Sequence, residues 1–184
     1  MPAIRFEKNN GVIMKKLSFA VFFVLLSAVI SSTFVLGFGK DEAETLKGIR
    51  GIEVLVGVLP SAVKKIGLNR EAIKQDVELK LQMAGIKVLK KNEIFSEPGG
   101  PYLFIGMTVR DLSNLFIYNI VIELRQQARL VRAPDITGCC MGTWETGVLG
   151  GGNIKTISAK YIRKVIKDQV DLFLNDYLSV NPKK

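Results

Sequence analysis

Histidine is missing from all 184 residues. Its absence removes the Ser-His-Asp and Cys-His catalytic arrangements, the commonest general base, and every zinc site that uses an imidazole. Cysteine is nearly as scarce. The two present, Cys139 and Cys140, are adjacent, which excludes a CxxC redox motif. On a regular strand, neighbouring side chains point to opposite faces, so this pair cannot share a metal unless the strand is broken. A strained vicinal disulfide, a bridge to a second molecule, and one buried thiol beside an incidental one all stay open. Acidic residues are outnumbered 17 to 26, giving a formal charge of +9. No metal site and no cofactor-binding motif is legible.

What is present begins with a leader. Lys15 and Lys16 precede a nearly unbroken apolar run to Leu36, the construction of a bacterial export signal. Residues 14–37 read as a signal peptide, with Val35 and Gly37 as the small residues before a cut at Phe38. Left uncut, residues 17–36 are long enough to remain as a membrane anchor. Either outcome places the body outside the cytoplasm, periplasmic or secreted. The apolar run does not end in a cysteine, so lipid anchoring is disfavoured. Residues 1–13 are mixed in charge and poorly apolar. Gly11-Val12 can be encoded by GGNGTN just upstream of an ATG, a pattern that resembles a ribosome-binding site read as protein, and the expected start is Met14.

Residues 1–37 carry Arg5, Lys8, Lys15 and Lys16 against Glu7, so the remainder keeps a formal charge of +6. About 145 residues are enough for one domain that buries roughly two-thirds of its unfolded surface. A basic body in that compartment points to anionic or protein partners of the envelope and away from nucleic acid.

Residues 38–48, charged and with little to bury, read as a linker, and residues 49–182 as a single α+β domain. Ile52, Val54, Val56 and Val58 alternate as one face of a strand, with Leu55 and Leu59 on the other, as for a strand covered on both sides. Asn69 caps a helix striped by Ile73, Val77, Leu81 and Ala84, and Gly85 stops it. Ile86–Leu89 completes a β-α-β unit with parallel outer strands. After Pro98-Gly99-Gly100-Pro101, a long hairpin runs from Tyr102 to Val109 and back through Leu115 to Arg132. Another strand spans about Thr137–Val148, then a loop at Leu149–Asn153 and a helix over about Thr156–Leu178. The expected order is β-α-β-β-β-β-α: a mixed sheet of about five strands, with its helices largely on one face.

Candidate chemistry is sparse. Gly150-Gly151-Gly152-Asn153-Ile154-Lys155-Thr156 has the place of a phosphate loop but carries Ile154 where glycine must precede lysine. Asp168 with Asp171, or Glu123 with Glu145, are the carboxylate pairs available for acid–base work; Asp168 and Asp171 also suit helix pairing with Lys164 and Lys167. Arg125, Arg129 and Arg132 form a basic ridge if they lie beside Lys160, Arg163, Lys164 and Lys167. Trp144 is either a recognition aromatic or a core anchor.

The segments Gly51–Val56, Asp76–Leu81 with Ala84–Leu89, and Val170–Leu178 resemble small exported bacterial proteins. The order of elements over Gly51–Asn181 resembles the α+β domain of the curli-secretion lipoprotein and of the activators of penicillin-binding proteins, without their lipid-attachment cysteine. That resemblance implies an adaptor docking onto envelope machinery. The expectation is therefore an exported, non-enzymatic accessory protein that binds a protein or anionic envelope partner through Arg125, Arg129, Arg132 and Trp144. Its rivals are a carboxylate- or cysteine-dependent enzyme acting on an envelope polymer and a lipid or small-ligand carrier.

Overall fold

The structure, a computed structural model, describes residues 39–182 except Asn114 and Ile154, and its compact body begins at Asp41. The signal or anchor expected within residues 1–37 lies outside the described residues. Among those described, no helix is long and apolar enough to cross a membrane.

The elements are α1 (Gly39–Glu44), β1 (Gly51–Val56), α2 (Ser61–Lys65), α3 (Arg70–Met83), β2 (Lys87–Val88), β3 (Tyr102–Leu112), β4 (Leu115–Leu130), β5 (Ala133–Asn153) and α4 (Ala159–Val180). The strands form one mixed sheet in the order β2-β1-β3-β4-β5. β1 is parallel to β2 and β3, whereas β3-β4 and β4-β5 are antiparallel. The fold is α+β, in the order that the alternation of apolar residues anticipates.

Periodicity explains the core. Phe116, Tyr118, Ile120, Ile122 and Leu124 are the inward residues of β4, all buried against Ile162, Ile166, Val170 and Phe173 of α4 and Ile73, Val77 and Leu81 of α3. Each such side chain contributes about 1.5–3 kcal/mol by leaving water. Asn69 accepts from Ala72 N at 2.8 Å as the α3 cap, and Gly85, at φ 86°, ends the turn after it in a conformation that favours glycine. The two helices are joined by Arg163 Nε and Nη2, which donate to Asp76 at 2.7 and 2.8 Å, and by Lys80 with Asp171. Asp171 thus pairs across to α3 rather than with Lys167. Asp168 keeps the in-helix partner Lys164 at 2.6 Å.

Several expectations need correction. Residues 38–48 are not simply a linker: Gly39–Glu44 is helical, and Ala43 and Leu46 are buried, Leu46 completely. The helix packs in because Thr45 Oγ1 donates to Thr143 O at 2.9 Å and Asn181 Nδ2 donates to Leu46 O at 3.0 Å. β1 is covered on one face only, since Leu55 is exposed. It ends at Val56, which leaves Val58 85% exposed. The glycines at 150–152 are not a loop. β5 continues to Asn153, with Gly150 opposite Tyr118. A Cβ at Gly150 would stand 2.4 Å from the Tyr118 hydroxyl, so glycine is what lets that ring lie flat across the strand. The Tyr118 hydroxyl then meets Tyr161 Oη at 3.2 Å. Burial, with this neighbour second, pushes its ionisation up to about 12.

Candidate functional site

Because α3 and α4 share one face, the other face of the sheet is left open. Across it run Glu53 and Leu55 of β1, Tyr102 and Phe104 of β3, and Glu123 and Arg125 of β4, in lateral register. The segment that follows β2 folds over one end of this face. Glu93 Oε2 accepts from Lys90 N at 2.8 Å, and Glu93 O accepts from Ser96 Oγ at 2.6 Å. The Lys90 amide, with Lys87 and Lys90 charges assisting against desolvation, holds the Glu93 carboxyl below its ordinary range. Gly99 and Gly100, at φ 80° and 54°, turn the chain into β3. Gly99 O accepts from Gln127 N at 2.8 Å, which ties the segment to β4.

Between segment and sheet lies an open groove of about 670 Å3, with Leu55, Ile94, Phe95 and Tyr102 among its walls and Glu53, Lys91 and Gln127 as polar edges. Cys139 and Cys140 line it too, because the strand is broken where they stand. Gln126 pairs with Met141 and Ala128 with Gly138, so Gln127 stands opposite both cysteines. This is a bulge of two residues against one. Cys140, at φ 61°, takes a left-handed conformation rare outside glycine. Both thiols are free and exposed, and neither is a buried small hydrophobe. Tyr102 lies beside Cys140 and Arg125: burial first, then Cys140, raise its ionisation, and Arg125 opposes them.

The arginines separate into two roles. Arg125 is half-buried, with its guanidinium 4.2 Å above the Phe104 ring and its Nε donating to Glu123 Oε2 at 2.7 Å. Glu123, and less strongly Tyr102, reinforce its positive charge. Arg129 and Arg132 are exposed. The buried residues of β4 and β5 stop at Leu124 and Trp144, so beyond them the two strands form an arm. At its tip Val131 is 96% exposed, and Ile136 is exposed too.

The combined basic patch is not formed. Tyr161 meets Tyr118 and Gln169 meets Thr146, so Lys160 to Lys167 lie beside the opposite end of β4, with Tyr118 about 36 Å along the strand from Arg129. Trp144 belongs to the core. It is buried edge-on against Phe173 at 5.1 Å, and its Nε1 donates to Asp176 Oδ2 at 2.9 Å. Glu123 and Glu145 are direct cross-strand partners on the open face, but Glu123 is engaged by Arg125. Among the described residues, no group of three or more Cys, Asp or Glu side chains converges as metal ligands.

The groove residues Glu53, Leu55, Phe95, Tyr102 and Gln127 had no signature in the sequence. Two signals point towards them: Pro98-Gly99-Gly100-Pro101, which marks the turn, and Gly138 and Gly142 flanking the cysteines, a composition that favours a bulge. No protein-family model matches the chain, and none of the curated proteins matches it significantly.

Proposed function

We propose that the protein is an exported, non-enzymatic accessory or adaptor of the cell envelope that binds a protein or anionic partner through the β4–β5 arm. The observation that carries this reading is the arm itself: two strands that continue past the last buried residues, Leu124 and Trp144. They expose Arg129, Arg132, Val131 and Ile136, and β5 pairs only with β4 among the described strands. An unpaired strand edge beside exposed apolar and basic side chains supports recognition by strand addition and charge. The groove gives the enzymatic rival little support, because one of its acids, Glu97, is held by Arg50 at 3.5 Å and the site is open to water. The lysine-led apolar leader supports export.

A photo-crosslinking residue at Val131 or Ile136 of the full chain, expressed in cells with an intact envelope, tests the reading. Discrete adducts that disappear in Arg129→Ala/Arg132→Ala, and are missing when the probe replaces Leu79 on α3, are the expected result. Equal labelling from all three positions, or recovery of the chain with its leader in the cytoplasm, refutes it.

The groove favours a second reading, a carrier for a small apolar ligand, since its volume and walls fall within the range of ligand sites. Binding of an apolar fluorophore that Leu55→Arg abolishes supports the carrier; unchanged binding removes it.

A further inference from the structure

We infer that Cys139 and Cys140 form a two-thiolate site for a soft monovalent metal ion, with Cu(I) as the biological representative. A regular strand forbids such a site, and the bulge removes the obstacle. Gln127 stands opposite both cysteines, and the left-handed turn at Cys140 accompanies the break in alternation. Both residues line the same groove, and both are exposed, so an ion reaches them from solvent.

The spacing disfavours the competing disulfide. Adjacent Cα atoms across a trans peptide are about 3.8 Å apart, shorter than the roughly 4.4–6.8 Å that a relaxed disulfide spans. Closing that ring stores strain and makes the bond easy to reduce. An ion placed between the sulfurs relieves the constraint. With metal–sulfur bonds comparable to the about 2.3 Å of a zinc–thiolate bond, the sulfurs stand up to about 4.6 Å apart instead of about 2.05 Å. Coordination releases both thiol protons to solvent and joins two thiolates to one cation of charge +1, with no change of oxidation state. The product carries one net negative charge. Lys91 lines the same groove as a cation, with Glu53 and Glu97 as its acids, the latter held by Arg50.

Selectivity follows from what is nearby. Among the described residues no third Cys, Asp or Glu joins the pair, so the four-ligand shell of structural Zn2+ is not completed. Soft thiolates with low coordination number suit Cu(I). Met141 does not contribute, because it pairs with Gln126, one position from Gln127, and so faces the other side of the strand.

The test uses the full chain in detergent, reduced and oxygen-free, titrated with Cu(I) against a competing chromogenic chelator. One equivalent retained by the protein is expected, with Zn2+ bound far more weakly. Cys139→Ser and Cys140→Ser each lower Cu(I) affinity about 100-fold or more, while thermal unfolding is unchanged because both side chains are exposed. Cys140→Ser/Met141→Cys keeps two thiols but places one on the opposite face, and does not restore binding. Loss of copper from wild type and both serine variants at the same chelator concentration overturns the site, as does equal retention of Zn2+. Restoration by Met141→Cys overturns the same-face geometry on which it rests.

Discussion

Trp144 and Asp176 meet across the sheet–helix interface, indole Nε1 to Oδ2 at 2.9 Å. The bond satisfies the only polar atom of a side chain that is otherwise packed on Phe173. Trp144→Phe removes the donor while keeping most of the apolar contact and is expected to cost about 1 kcal/mol. Trp144→Ala opens a cavity and costs about 3–5 kcal/mol. Urea unfolding of the two variants checks the ranking. A surface role for the indole would leave both near wild type.

Leu46 is fully buried in a stretch of charged and small residues. Leu46→Ala is expected to destabilise the fold by about 2–5 kcal/mol. A chain beginning at Gly48 should lose at least as much, since Thr45 and the Leu46 carbonyl go with it. A melting temperature unaffected by truncation would restore the linker description.

Gly150→Ala drives a methyl group into the Tyr118 ring and is expected to cost about 1–3 kcal/mol. In a Tyr118→Ala background the same change should be close to neutral, because the two sites are in contact. A double-mutant cycle measures the coupling.

Asp76 sits under Arg163. The hydrogen bond from Arg163 is the largest influence on its carboxyl; desolvation opposes it, and the Arg163 and Lys167 charges add to it, leaving the group below its ordinary value near 3.8. A depressed carboxylate contributes stability that is complete above the unfolded value and is lost as pH falls through the folded one. Unfolding free energy should therefore decline on acidification below about pH 5. Asp76→Asn should be less stable at neutral pH and flatter across that acid window. An identical slope in both proteins would contradict the pairing.

Arg129→Ala/Arg132→Ala should weaken binding to vesicles that contain anionic lipid, more so at low salt, without lowering the melting temperature. Arg125→Ala should act differently, costing about 0.5–2 kcal/mol of stability through loss of its stack on Phe104. Calorimetry with sedimentation binding separates the two. A vesicle affinity indifferent to Arg129 and Arg132 would argue against the arm as an anionic contact and leave a protein partner.

Much of the architecture was legible because alternation reports burial directly. Phe116 to Leu124 marked the inward face of β4, and Asn69 and Gly85 bracketed α3 by local chemistry alone. The misread parts depend on neighbours distant in sequence. Nothing near Leu46 reveals that Thr143 and Asn181 hold its segment. The glycines at 150–152 have low strand propensity, and at 150 it is the ring of Tyr118 on the adjacent strand that makes glycine the right choice. For Cys139 and Cys140 the rule of opposite faces holds only on a regular strand, and the irregularity that suspends it is set by how β4 and β5 are matched. Trp144 could be assigned to the interior only once Phe173 and Asp176 were beside it.

Tyr177 Oη donates to Ile49 O, and Asn181 Oδ1 accepts from Gly48 N, while Thr45 plugs the sheet at the root of the arm. The point where the polypeptide enters the body, its closing helical turn and the base of the projecting strands therefore occupy one pole.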